Sequence, residues 1–390
     1  MRKTGAILAF LLIGQISLFG QNIFEFKGQA SVFGNYSPDN DLDFFTGGRY
    51  IPEMNYKIKL PKSQNLDFVG AANMYANSMF HAFDTSVNDA TIKPYRAWAR
   101  YTGKQIEVRA GLQKIDFGSA TILRPLQWFN QIDPRDPLSQ TNGVYGLLGR
   151  YYFLNNANIW LWMLYGNEEI RGFDAIKTYG KQPEFGGRLQ YPVTKGEIAI
   201  SYHHRAANST ELPILQSYEK NPEDRLGLDG KWDVGIGLWF EASYIQQSKD
   251  IGAFTNQGLF NLGCDYTFGV GNGLNVITEH LFFGYDEEPF QFGKNSNITA
   301  ATLSYPLNFF NNLSSVLYYS WETEDFAFFL NFQHQFQHFT GYLMAYYNPE
   351  QQAFQQNDMM NSFAGPGIRL MLVYNHLFTH KKDDKQTPEL

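Results

Sequence analysis

Beyond Gly20 no stretch of the chain is apolar for long enough to form a membrane-spanning helix, and the dominant pattern is an alternation of apolar and polar side chains with a period of two. In Ile106–Gln113 one face carries Ile106, Val108, Ala110 and Leu112, while the other carries Glu107, Arg109, Gly111 and Gln113. Successive side chains of an extended chain point to opposite sides, so this segment is a strand with one greasy and one polar face. The same alternation runs through 50–60, where Glu53, Asn55, Lys57 and Lys59 form the polar face, and through 66–75, 185–191 and 225–233. Patterns at helical spacing are nearly absent, so the chain is expected to be all-β.

The links between these strands alternate in length. Short ones fall at 61–65, 102–105, 154–158, 193–197, 233–235, 269–273, 307–312 and 337–340. Longer ones fall at 37–45, 81–92, 118–143, 168–183, 208–224, 250–256, 286–295 and 351–366, and one link on the long side, 322–325, is as short as a turn. Short turns on one rim and longer loops on the other are the signature of an antiparallel transmembrane β-barrel with an even strand number. The links separate about 18 strands, with about 16 as the alternative. Both termini then fall on the short-turn side.

Composition narrows the function. Hydrophobic residues make up 44% and charged residues 18%, so the chain has ample surface to bury and is not disordered. The 34 Phe, 24 Tyr and 7 Trp suit an apolar band facing lipid with aromatic girdles, around a polar lumen. A net charge of −7 without a basic run gives no footprint for nucleic acid. The single cysteine, Cys264, excludes an internal disulfide framework and a thiolate metal cluster. It falls on an apolar face and reads as a lipid-facing small hydrophobe. Residues 1–20 read as a secretory signal, with Arg2 and Lys3 before an apolar run and cleavage after Gly20. The barrel then occupies 21–378, and 379–390 form a polar periplasmic tail.

The final strand presents Ile368, Leu370, Leu372, Tyr374, His376 and Phe378 on one face after Gly367, which resembles the C-terminal signal by which outer-membrane barrels are recognised for assembly. Over its whole mature length the chain resembles the porin-like outer-membrane barrels of Gram-negative bacteria, and its Asn- and Phe-rich strands suggest a Bacteroidetes-type source. The resemblance implies a place in the outer membrane, contact with its lipid and with the barrel assembly machinery, small polar solutes or ions as cargo, and allows a homo-oligomer. In such barrels the long third outer loop folds into the lumen and narrows it. Segment 118–143 matches in position and length, which makes Arg124, Asp133, Arg135 and Asp136 the candidate constriction.

Carrying the alternation through each strand points Arg96, Arg100, Arg109, Arg150, Arg188 and Arg205 into the lumen, with Glu107 interrupting them. Asp229, Glu241, Asp265 and Glu279 point in from later strands, with Lys231 the main exception. A basic wall facing an acidic one sets up a transverse field that favours polar solutes.

No catalytic or cofactor site is expected. Alternation puts His203 and His204 on opposite faces, so they cannot chelate one ion together. No nucleophile elbow and no phosphate-cradling loop is present. Two functions remain: a channel for passive diffusion, or a structural barrel of an envelope or secretion machine whose lumen is closed by loops.

Overall fold

A computed structural model describes residues 22–39, 42–81, 86–211, 216–348 and 365–381. The expected signal, 1–20, its cleavage point and the tail from 382 onward lie outside the described residues. The first strands are β1 (Asn22–Tyr36), β2 (Phe44–Leu60), β3 (Gln64–Phe80), β4 (Ser86–Thr102), β5 (Ile106–Gln113), β6 (Val144–Tyr152) and β7 (Asn158–Leu164). After the two-residue β8 (Lys177–Thr178) come β9 (Glu184–Val193), β10 (Gly196–Asn208), β11 (Asn221–Asp233), β12 (Gly237–Gln247) and β13 (Asn256–Phe268). The series ends with β14 (Leu274–Asp286), β15 (Lys294–Pro306), β16 (Asn311–Ser320), β17 (Phe326–Gln335), β18 (Phe339–Asn348) and β19 (Gly365–Lys381).

Neighbouring wall strands pair antiparallel, and β19 returns to β1, with Tyr36 opposite Ile368 and Ile23 opposite Lys381. The sheet has 19 strands, of which β8 only extends the pairing at the end of β10, so 18 (19 − 1) form the closed wall. Closure leaves no edge, and every wall strand has a backbone partner on both sides, which lipid demands because it offers none. The last strand runs past the expected end at Phe378 to Lys381. Polar Thr379 and His380 still pair with Glu25 and Phe24, because ladder hydrogen bonds are made by the backbone whatever the side chain.

Strands β2, β3 and β4 have 17 residues each, more than the ~9–11 that suffice to cross a bilayer. Outward positions such as Val32, Met54, Leu161, Leu226, Leu262, Leu343 and Leu370 are exposed, as a lipid-facing band requires. Cys264 is exposed on the same face.

The inward face departs from the expectation of a uniformly polar lumen. Val316, Phe329, Tyr342, Met344, Tyr346, Met371 and Val373 form a buried cluster on the inner side of β16 to β19, with Phe33 and Leu138 packed on it. Two more clusters bring inward side chains of β6, β7 and β12 to β15 against residues of segment 114–143. Apolar side chains on an inner wall are hidden from water wherever a loop covers them.

At the closing seam His376 lies over Gly28, where an added Cβ would run into the imidazole and the Tyr50 ring. Nε2 of His376 is 2.9 Å from the Tyr50 hydroxyl, and the rings of Phe26 and Phe378 flank it at 5.2 and 5.4 Å. Gly28→Val is therefore expected to wedge the seam at a cost of about 1–3 kcal/mol. Thermal melting in detergent, followed by loss of the heat-modifiable band on gels, should show a lower midpoint. A wild-type midpoint would contradict this account of the seam.

Candidate functional site

Strand β5 ends at Gln113 and β6 begins at Val144, so the connection expected over 118–143 starts earlier, at Lys114. It contains no strand, yet Ile115, Leu123, Leu126, Trp128 and Phe129 are almost fully buried. Buried backbone without secondary structure needs partners for its N–H groups. Here carboxylates of distant strands supply them. Glu279 on β14 accepts from the amides of Thr121 (2.7 Å), Ile122 (3.1 Å) and Leu123 (2.6 Å), and from Thr121 Oγ1. Trp239 Nε1 and Asn261 Nδ2 donate to the same carboxylate, and Asn261 also donates to the Leu123 carbonyl. Glu241 on β12 accepts from the amides of Ala120 at 2.7 Å and Leu126 at 3.1 Å. Gly118 has φ +105°, and a Cβ there would strike the Glu241 carboxylate, so the close approach requires glycine.

Ser119 Oγ donates to Asp229, which also takes a bidentate bond from Arg188 at 2.5 and 2.9 Å. Between these polar ties, Phe117 stacks on Trp162 and Trp128 on His203, Phe129 meets both of those rings edge-on, and Trp128 Nε1 donates to Ser243. Trp128 and Phe129 thereby anchor the segment against the wall.

The second half of the segment meets a different part of the wall. Arg96 donates to the Thr141 carbonyl, Gln140 donates to Gln29 on β1, and Arg49 on β2 donates to Gln140. Asp133 and Arg135 are bonded to each other through both guanidinium Nε and Nη2, and the Arg135 amide also donates to Asp133. Asp136 accepts from the amides of Leu138 and Gln140. Burial raises the Asp136 carboxyl above its ordinary range, and those two amides only partly offset the shift. Of the four residues expected at the constriction, Asp133, Arg135 and Asp136 share this turn. Arg124 stands apart, 2.5 Å from Asp116. Burial alone would raise Asp116, but Arg124 and Lys114 outweigh it and hold the carboxyl low.

The residues expected to line the bore divide into two groups. Arg188, Arg205, Asp229, Glu241 and Glu279 point inward, but all are at most 5% exposed. They do not form free charged walls, because segment 114–143 or neighbouring strands and loops consume their hydrogen-bonding capacity. Arg205 pairs with Glu223 and Asp174, and Arg225 pairs with the same two carboxylates. Beside them Arg171 and His203 share Glu184. This block, held between β9, β10, β11 and the 165–183 connection, was not anticipated.

The second group retains solvent. Arg100, Arg109 and Arg150 keep 29%, 14% and 15% of their side chains exposed and all approach one carboxylate, Glu107, at 3.7, 3.0 and 3.4 Å. Arg100 is also paired with Asp67 at 3.0 Å. Trp98 lies under Arg100 and Arg109, and Trp160 lies under Arg150 with the guanidinium 3.7 Å from the ring centre. Register explains the grouping: Arg100 is directly opposite Arg109, and Glu107 is directly opposite Arg150. Three guanidiniums against two carboxylates leave a net positive arc on β3 to β6. Glu107, which only interrupts the basic row in the sequence, is its hub. Asp265 faces inward and is half-buried.

Comparison with known proteins adds the fold. Two solved Acinetobacter baumannii proteins, OccAB4 and OccAB1, match over 92% of this chain and 98% and 96% of theirs, with TM-scores of 0.54 and 0.57 at 12% and 9% identity. OpdQ of Pseudomonas aeruginosa matches over 92% of this chain and 99% of its own, with a TM-score of 0.54 at 10% identity. No family model and no curated protein matches the sequence. At these identities the likeness is one of fold, the closed antiparallel barrel of outer-membrane porins.

Proposed function

We propose that this protein is a porin-like channel of a Gram-negative outer membrane, passing small polar solutes or ions by passive diffusion without enzymatic chemistry. Segment 114–143 is its constriction, lying within the bore and leaving a water path along the basic arc. One observation carries the reading. The segment leaves β5 and returns on β6, yet its backbone is hydrogen-bonded to inward carboxylates of β12 and β14, on another part of the ring. Contacts across a strand order that closes on itself support a path for the segment through the interior. On this reading the charges that meet a solute are Arg96, Arg100, Arg109 and Arg150 with Glu107, and Asp133, Arg135 and Asp136 border the path. Asp229, Glu241 and Glu279 act from beneath the loop. Delivery by the barrel assembly machinery and self-association in the membrane belong to the same proposal.

The buried inward clusters favour a second reading in which loops seal the lumen and the barrel serves as a scaffold. Purified protein in planar bilayers separates the two. A channel gives discrete conductance steps, whereas a sealed barrel gives none. The double variant Arg109→Ala/Arg150→Ala removes two cations from the arc. Its reversal potential in a salt gradient should shift toward cation preference by a factor of several in permeability ratio. An unchanged reversal potential would remove these residues from the path.

A further inference from the structure

The short-turn rim is chemically divided. The connections β11–β12, β13–β14, β15–β16 and β17–β18, residues 234–236, 269–273, 307–310 and 336–338, contain no Asp, Glu, Lys or Arg. They present Val234, Ile236, Val270, Leu307, Phe309, Phe310 and Phe336 as exposed side chains, Phe309 completely so. The connections β2–β3, β4–β5 and β9–β10 instead present Lys62, Lys104 and Lys195, all exposed. The β6–β7 connection, residues 153–157, lies outside the first arc yet is also without charge, and it exposes Phe153 and Leu154.

Scattered exposed apolar residues are ordinary, but these four successive turns, with exposed Asp233 beside the first as their one flanking charge, form a contiguous apolar edge that water disfavours. The edge continues the lipid-facing band of the same hairpins. Outward Tyr266 and Phe268 lead to Val270, Leu303 leads toward Leu307, and Phe336 stacks on Phe339 with ring centres 4.5 Å apart. Lysines, by contrast, keep their ammonium groups in water or among lipid phosphates.

We propose that the barrel sits asymmetrically in its membrane, with the four turns from β11 to β18 seated in the interfacial layer of the phospholipid leaflet and the Lys62, Lys104 and Lys195 turns outside it. The occupant of the apolar edge is lipid. This rests on the reading of the chain as a membrane barrel, and native Cys264 on the outward face tests that premise separately.

The test attaches a polarity-sensitive fluorophore at single cysteines in full-length protein. The protein is reconstituted into vesicles of phosphatidylethanolamine and phosphatidylglycerol, with iodide present on both sides. The labelled sites are Cys264 in the wild type, and the variants C264S/F309C, C264S/V270C and C264S/K104C. Iodide should quench the F309C and V270C labels several-fold less than the K104C label. Equal quenching, or equal shielding, at F309C and K104C would overturn the proposal, including the case in which the apolar edge is a docking face for a water-soluble protein. Strong quenching at Cys264 would instead show that the barrel is not in the bilayer, which is failure of the premise. V270C guards against poor folding of F309C.

Discussion

Replacing Glu279 with alanine is expected to release 119–126 while the barrel stays closed. The change strands three successive amides, the Thr121 hydroxyl, the Trp239 indole and one bond of Asn261. Hydrogen bonds to a charged group contribute ~1.5–3 kcal/mol each, and a buried donor left without an acceptor costs about 1–3 kcal/mol. No ladder bond of the wall is lost. Single-channel conductance should therefore rise and become noisy, with the β-sheet circular dichroism of the wild type. Glu279→Gln should fail in the same direction, because its amide turns a donor toward amides that are donors themselves. Quiet wild-type steps in Glu279→Ala would show that the carboxylate does not hold the segment.

The second large effect belongs to Arg205. Its guanidinium meets Glu223 at 2.5 and 3.0 Å, Asp174 at 2.7 Å and Thr178 at 2.8 Å, and is 1% exposed. Arg205→Ala leaves two buried carboxylates with Arg225 as the cation they still share, a loss of about 3–5 kcal/mol. The urea midpoint in detergent should fall markedly. Removing charge in balance should cost less: Arg205→Met with Glu223→Met leaves the Arg225–Asp174 pair at 2.7 Å intact. If the double variant is less stable than Arg205→Ala, the network is not held by charge balance.

Strand number and facing were legible because both follow from local pattern. A period of two assigns Arg109 and Glu107 to one face, and the length of the links orders the hairpins. Partnership was not legible. Alternation points Glu279 and Glu241 inward, but only the fold shows that the amides of Ala120, Thr121, Ile122, Leu123 and Leu126, which carry no side-chain signal, come to meet them. The apolar interior of β16 to β19 did leave a trace. In β17, Phe328 and Leu330 alternate with Ala327 and Phe329, so both faces are apolar, which is what a strand covered on its inner side requires. Glu107 was readable as inward, but its three arginine partners come from β4, β5 and β6 through cross-strand register that sequence alone does not set.

On the proposed function, a water path runs beside the basic arc and segment 114–143 covers the opposite wall. Single cysteines placed in both regions and challenged with a charged methanethiosulfonate during single-channel recording test it most directly. C264S/R109C should react and lower the current in a discrete step. C264S/S243C, whose site lies beneath Trp128 and is 2% exposed in the wild type, should stay silent. No step at R109C, or modification of S243C at the same rate, would contradict the account.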